Sequence, residues 1–175
     1  SFLHKFRRCL SAYKGYCFPM IGFHPTSVGA DSLFRIYEMK KLLSGEHPFV
    51  AVGEVGMDLY WDKTYLKEQQ KALDIQIQWA LEYHLPLVLH CREAFPELFE
   101  VMEPYKKTEL SGIFHSFTGT LEEAGQVLEY ARFFFGINGV VTFKKSSLAE
   151  VLPHIPLDRI VLETDSPYLA PVPFR

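Results

Sequence analysis

The stretch "VLHCREAFPELF", Val88–Phe99, sets the frame for the whole chain. An apolar run, Pro86–Leu89, ends on His90; Arg92 and Glu93 follow at once. Then Ala94, Phe95, Leu98, Phe99 and Met102 recur at the three- and four-residue spacing of an amphipathic helix. An uninterrupted apolar strand followed within a few residues by a helix is a βα unit. The same design recurs along the chain.

"CFPMIGFHP" reads as a strand, although Pro19 removes a ladder donor. A helix capped by Asp31 or Ser32 carries Leu33, Ile36, Tyr37 and Leu43 and closes at Gly45. "FVAVG" (Phe49–Gly53) is the next strand, and a long helix follows with Leu66, Leu73, Ile77, Ala80 and Leu81 on one face. "SGIF" (Ser111–Phe114) and "FFFGI" (Phe133–Ile137) are strands, separated by a helix that opens on the capping-box pair Thr120 and Glu123. Ser147 and Glu150 make a second such pair, and "RIVLE" (Arg159–Glu163) is the last strand. A further helical stripe, Phe2 to Tyr13, stands ahead of all these with Gly15 at its end.

Six apolar strands alternate with helices, so a parallel sheet buried on both faces is expected. That leaves an open doubly wound sheet or a (β/α)8 barrel. No G-x-G-x-x-G and no P-loop follows any strand, which argues against a dinucleotide or nucleotide fold.

Composition sets outer bounds. With 175 residues, 48% apolar and 15% aromatic, the chain suits one folded domain. Its net charge of −3 lacks the basic excess of a nucleic-acid binder, but bound cations can supply positive charge locally. Three cysteines form no C-x-x-C pair, as for reduced thiols in a cytosol, so a cytoplasmic location is expected. No apolar stretch has the length of a membrane span, and no signal peptide is visible.

In parallel α/β folds the site lies at the carboxyl ends of the strands. Read there, the chain gives His24, Glu54 with Asp58 close behind, His90, His115, Asn138 and Asp165. A lone strand-end histidine is more often structural than functional. Three imidazoles and two carboxylates converging on one mouth are different, because they need cations or protons to balance them. Imidazole with carboxylate suits zinc, manganese or iron. Two such ions, roughly 3.5–4 Å apart, activate water and clamp a phosphoryl or acyl oxygen. Arg92 is a candidate phosphate contact, the bland reading being an ion pair with Glu93. Asp58 reads as a surface carboxylate in a loop. Tyr60, Trp61, Phe117 and Tyr168 are candidate base-stacking residues, or aromatics packed on outer helices.

"GFHPTS", "AVGEVGMDLY", "PLVLHCREA", "FHSFTGT" and "VLETDSPYLAP" together resemble the TatD family of metal-dependent deoxyribonucleases, over nearly the whole chain and in the family's order. The resemblance implies a (β/α)8 TIM barrel, present here as six of eight βα units. It also implies two divalent metal ions (Mg, Mn or Zn) hydrolysing DNA phosphodiester bonds, often from a 3′ end of single-stranded or end-containing substrate. By the same resemblance Glu54 bridges the ions, His90 and His115 hold one of them, and Asp165 holds the other and aids the attacking water. His24 matches a pocket histidine that contacts substrate or metal. The family's His-x-His is absent, and His4 stands alone. The six strands match the third to the eighth, so the chain is expected to be one barrel domain lacking N- and C-terminal portions of a protein of about 260 residues, a size usual for such barrels. One ion is then expected to bind weakly. Hydrolysis of an ester, lactone or amide on the same barrel, and an inactive truncated chain, are the alternatives.

Overall fold

In a computed structural model the structure describes residues 12–174. The helix expected over Phe2–Tyr13 lies outside the described residues up to residue 11; the turn after it has Gly15 in the left-handed region at φ +84°.

Six strands form one sheet: β1 (Met20–Ile21), β2 (Ala51–Asp58), β3 (Leu87–Arg92), β4 (Gly112–Phe114), β5 (Phe133–Ile137) and β6 (Ile160–Leu162). Every neighbouring pair is parallel, and the spatial order is the chain order, β1 to β6. That order decides the architecture. A doubly wound sheet reverses direction at a switch point, whereas a barrel adds each strand beside the last. The sheet is therefore six βα units of a (β/α)8 barrel. β1 and β6 are its two edges, and Val161 and Leu162 of β6 stand exposed, Leu162 by 85%.

The helices are α1 (Ser32–Lys40), α2 (Leu66–Glu82), α3 (Phe95–Met102), α4 (Leu121–Leu128) and α5 (Leu148–Val151). α2 buries Leu73, Ile77 and Ala80 against the sheet, the face its spacing predicts. Each such fully buried Leu or Ile contributes about 1.5–3 kcal/mol. α3 and β4–β5 share an aromatic core in which Phe95, Phe99, Phe114, Phe133 and Tyr130 meet at 5.7–6.4 Å between ring centroids. The Thr120–Glu123 capping box forms in both directions. The one expected at Ser147 does not: Ser147 already has helical backbone angles, and its hydroxyl makes no cap bond.

Two glutamines on the buried stripe of α2, seven residues apart, fix the ends of two strands. Gln69 accepts from the Asp58 N–H at 2.9 Å and donates to the Asp58 carbonyl at 3.0 Å. Gln76 accepts from the Phe23 N–H at 2.6 Å and donates to the Phe23 carbonyl at 3.4 Å. Buried amides are retained where they satisfy backbone groups that water cannot reach. The clamps hold Phe23, just before His24, and the Asp58 end of β2 against one helix at the sheet's carboxyl end.

Candidate metal centre

Glu54 sits in the middle of β2, not after it. The pairing runs Gly53 with Val88 and then Val55 with Leu89, so Glu54 is an extra, unpaired residue. A bulge of this kind re-aims a side chain, and Glu54 is half-buried in a strand that is otherwise buried. Beyond it β2 continues to Asp58, because Gly56 at φ +138° lets the strand pass the His90 carbonyl, which a β-carbon would meet at 2.0 Å. β3 likewise runs through His90 to Arg92.

The strand ends converge as expected. His24, Glu54, His90, Arg92, His115 and Asp165 line one cleft of roughly 500 Å³. Within it the Glu54 carboxylate stands between two groups. Oε2 lies 3.5 Å from His24 Nε2, and Oε1 lies 3.9 Å from His115 Nε2. The His24 and His90 rings are 4.7 Å apart, and His24, Glu54 and His90 offer ligand atoms all within 4.8 Å of one another. On the other side His115 Nε2 is 3.6 Å from Asp165 Oδ1. The distances thus group His90 with His24 and Glu54, and His115 with Glu54 and Asp165, a different partition from the His90–His115 pair that the family resemblance implies.

Each imidazole is tied back through one ring nitrogen. His90 Nε2 meets Asp58 Oδ2 at 2.9 Å, His115 Nδ1 meets Glu163 Oε2 at 2.7 Å, and His24 Nδ1 meets the Thr26 hydroxyl at 2.7 Å. Such anchors fix ring orientation and leave the second nitrogen for a ligand. Asp58 is not the exposed loop carboxylate expected from the sequence: it is 4% exposed and ends a strand. Glu163, in the sequence simply the last residue of a strand, faces the cleft histidine His115. Its carboxylate also accepts from the Ser116 N–H, and Gly136 makes room for it, since a β-carbon there would lie 2.5 Å from Glu163 Oε1. Asn138 takes a structural part, capping a turn through Val140 and donating to Ser116 Oγ at 2.7 Å.

These contacts set the charge state. The His24 ring holds the Glu54 carboxyl below its ordinary range. Glu163 raises His115, while burial lowers His90 despite Asp58. Arg92 has no carboxylate within 4 Å among the described residues; its guanidinium lies over the Tyr60 ring at 3.6 Å instead. The alternative reading of Arg92, an ion pair with Glu93, is not formed.

The donor set fits a divalent cation: imidazole nitrogens freed by their anchors, one carboxylate shared between two groups, and a second, Asp165, partly open to solvent. A barrel of this topology with such donors at its strand ends defines a class, the (β/α)8 barrels that gather imidazole and carboxylate donors at one mouth.

Comparison with known proteins narrows the class. The family model described as TatD related DNase matches residues 3–175, and the chain belongs to that family. YabD of Bacillus subtilis, an uncharacterized metal-dependent hydrolase, is 35% identical over 161 residues, covering 91% of this chain and 62% of YabD. A protein of Pantoea sp. (strain At-9b) named 3′-5′ ssDNA/RNA exonuclease TatD is 35% identical over 167 residues, 94% of this chain and 64% of that protein. The crystal structure of the TatD homologue YJJV of Escherichia coli superposes with a TM-score of 0.79 at 28% identity, over 95% of this chain and 65% of YJJV. The chain thus spans less than two thirds of the length of these relatives. No helix among the described residues is long and apolar enough to cross a membrane.

Proposed function

We propose that this chain carries the centre of a metal-dependent nuclease that hydrolyses phosphodiester bonds of single-stranded or end-containing DNA, from the 3′ end. The observation that carries the reading is the Glu54 carboxylate standing between His24 and His90 on one side and His115 and Asp165 on the other. His24, Glu54, His90, His115 and Asp165 would hold up to two divalent ions, magnesium, manganese or zinc. When bound, such ions lower the pKa of water and neutralise charge on a phosphoryl oxygen.

The chain's own residues supply the rest. Asp165, the more open carboxylate, accepts the proton of the attacking water. Arg92 binds a phosphate through N–H donors that have no hydrogen-bond partner among the described residues. Asp58, Glu163 and Thr26 hold the imidazoles in orientation. Among the described residues no helix or ribbon presents a base-reading face, so the backbone, not base sequence, would be read.

A labelled single-stranded oligonucleotide with added magnesium, manganese or zinc tests this beside an EDTA control, with a lactone and an aryl ester in parallel. Metal-dependent cleavage of the oligonucleotide alone supports the reading. Turnover of the ester or lactone alone would move the chain to acyl hydrolysis on the same barrel.

A further inference from the structure

The turn that follows β2 carries two aromatic residues beside the cleft. Tyr60 is 44% and Trp61 76% exposed, and their rings meet edge to face at 4.6 Å. Arg92, which lines the cleft, lies 3.6 Å from the centre of the Tyr60 ring and 5.7 Å from that of Trp61. A guanidinium stacked on a ring keeps its in-plane N–H donors available.

The turn is tied to the metal centre itself. Asp58 accepts from the Tyr60 N–H through Oδ1 at 3.1 Å and holds His90 through Oδ2. The Leu59 N–H donates to the Arg92 carbonyl at 3.0 Å. One buried carboxylate therefore positions an imidazole of the cleft and the aromatic turn together.

Trp61 is exposed beside Arg92, and no carboxylate among the described residues lies within 4 Å of the Arg92 guanidinium, so its donors are open to an anion. We infer that Tyr60, Trp61 and Arg92 form a one-nucleotide platform, Trp61 stacking on an unpaired base and Arg92 binding the adjoining phosphate. The inference rests on the nuclease reading and names how that site selects single-stranded substrate. A paired base keeps its faces stacked within a duplex; an unpaired one offers them to the indole, whatever its identity.

The chain supplies its own probe. Of its two tryptophans, Trp79 is buried at 1% exposure, so changes in accessible tryptophan emission report on Trp61. The experiment titrates the protein, in magnesium, with a phosphorothioate hexathymidylate that resists hydrolysis, and with an abasic phosphorothioate of equal charge. The hexathymidylate should quench Trp61 and shield it from acrylamide, and should bind about 5- to 150-fold more tightly than the abasic strand. Trp61→Ala should erase most of that difference, and Trp61→Phe should keep most of it. Equal binding of both strands with Trp61 emission unchanged would overturn the platform and leave the nuclease reading standing. Binding of neither strand would contradict both.

Discussion

Asp58 and His90, 32 residues apart in the chain, meet at 2.9 Å with Asp58 almost wholly buried. Asp58 thus belongs with the metal centre, as the anchor of an imidazole. Asp58→Asn preserves volume and removes the charge that favours one ring orientation. It should lower divalent-ion affinity about 10- to 100-fold with the fold retained. Titration calorimetry with manganese, beside a thermal melt, reads both quantities; unchanged affinity would deny the anchoring role.

Glu163 acts on His115 in the same way, and Gly136 is the space it occupies. Glu163→Gln and Gly136→Ala should therefore converge, each weakening ion binding and activity about 10- to 100-fold, the second by pushing the carboxylate off the ring. If Gly136→Ala leaves ion affinity intact while Glu163→Gln lowers it, the close approach does not control the carboxylate.

Tyr130 gives the fold an alkaline limit. Its hydroxyl is buried with no hydrogen-bond partner among the described residues, and burial pushes its pKa up to about 12. The folded state thus holds this proton more tightly than the unfolded chain, where tyrosine ionises near 10. The contribution is fully present below about pH 10 and is lost as pH rises through about 12. Tyr130→Phe should leave stability at pH 8 unchanged or raised by about 1 kcal/mol. It should also remove part of the wild-type loss between pH 8 and 11. Urea midpoints at the two pH values decide it, and parallel losses in both proteins would count against the assignment.

The edges β1 and β6 predict association. Among the described residues the sheet has two unpaired parallel edges, with Leu162 bare on one. The chain should run as oligomers in sizing chromatography, and Leu162→Lys should shift it toward monomer. A sharp monomer peak at low salt with a cooperative melt would show that the edges are covered from within.

The strands, their order of appearance and the cleft histidines were legible because buried parallel strands leave uninterrupted apolar runs and the fold places function where those runs stop. What was hidden had specific causes. Gly53 and Gly56 bracket Glu54 and look like the end of a strand; in fact Glu54 is a bulge, and Gly56 allows β2 to continue to Asp58. Glu163 lies 48 residues from His115, and no local pattern links them. The Ser147–Glu150 spacing matches a cap, but the backbone at Ser147 is already helical. Gln69 and Gln76 could have been found, as polar residues on the buried stripe of α2.

Ion count extends the test to the centre as a whole. Among the described residues only His24, Glu54 and His90 bring three donors within 4.8 Å of one another, so one tightly held ion is expected there and a second, weaker one beside His115 and Asp165. Two equally tight ions would contradict that.

The most direct measurement follows 3′- and 5′-labelled single-stranded DNA with manganese, comparing the wild-type chain, the wild-type chain in EDTA, and Glu54→Ala. The account predicts stepwise shortening from the 3′ end by the wild type. It predicts none in EDTA, and a loss of at least about a hundredfold in Glu54→Ala, the size seen when a single transition-state contact is removed. Cleavage that persists in Glu54→Ala at the wild-type rate would contradict the central place given to that carboxylate.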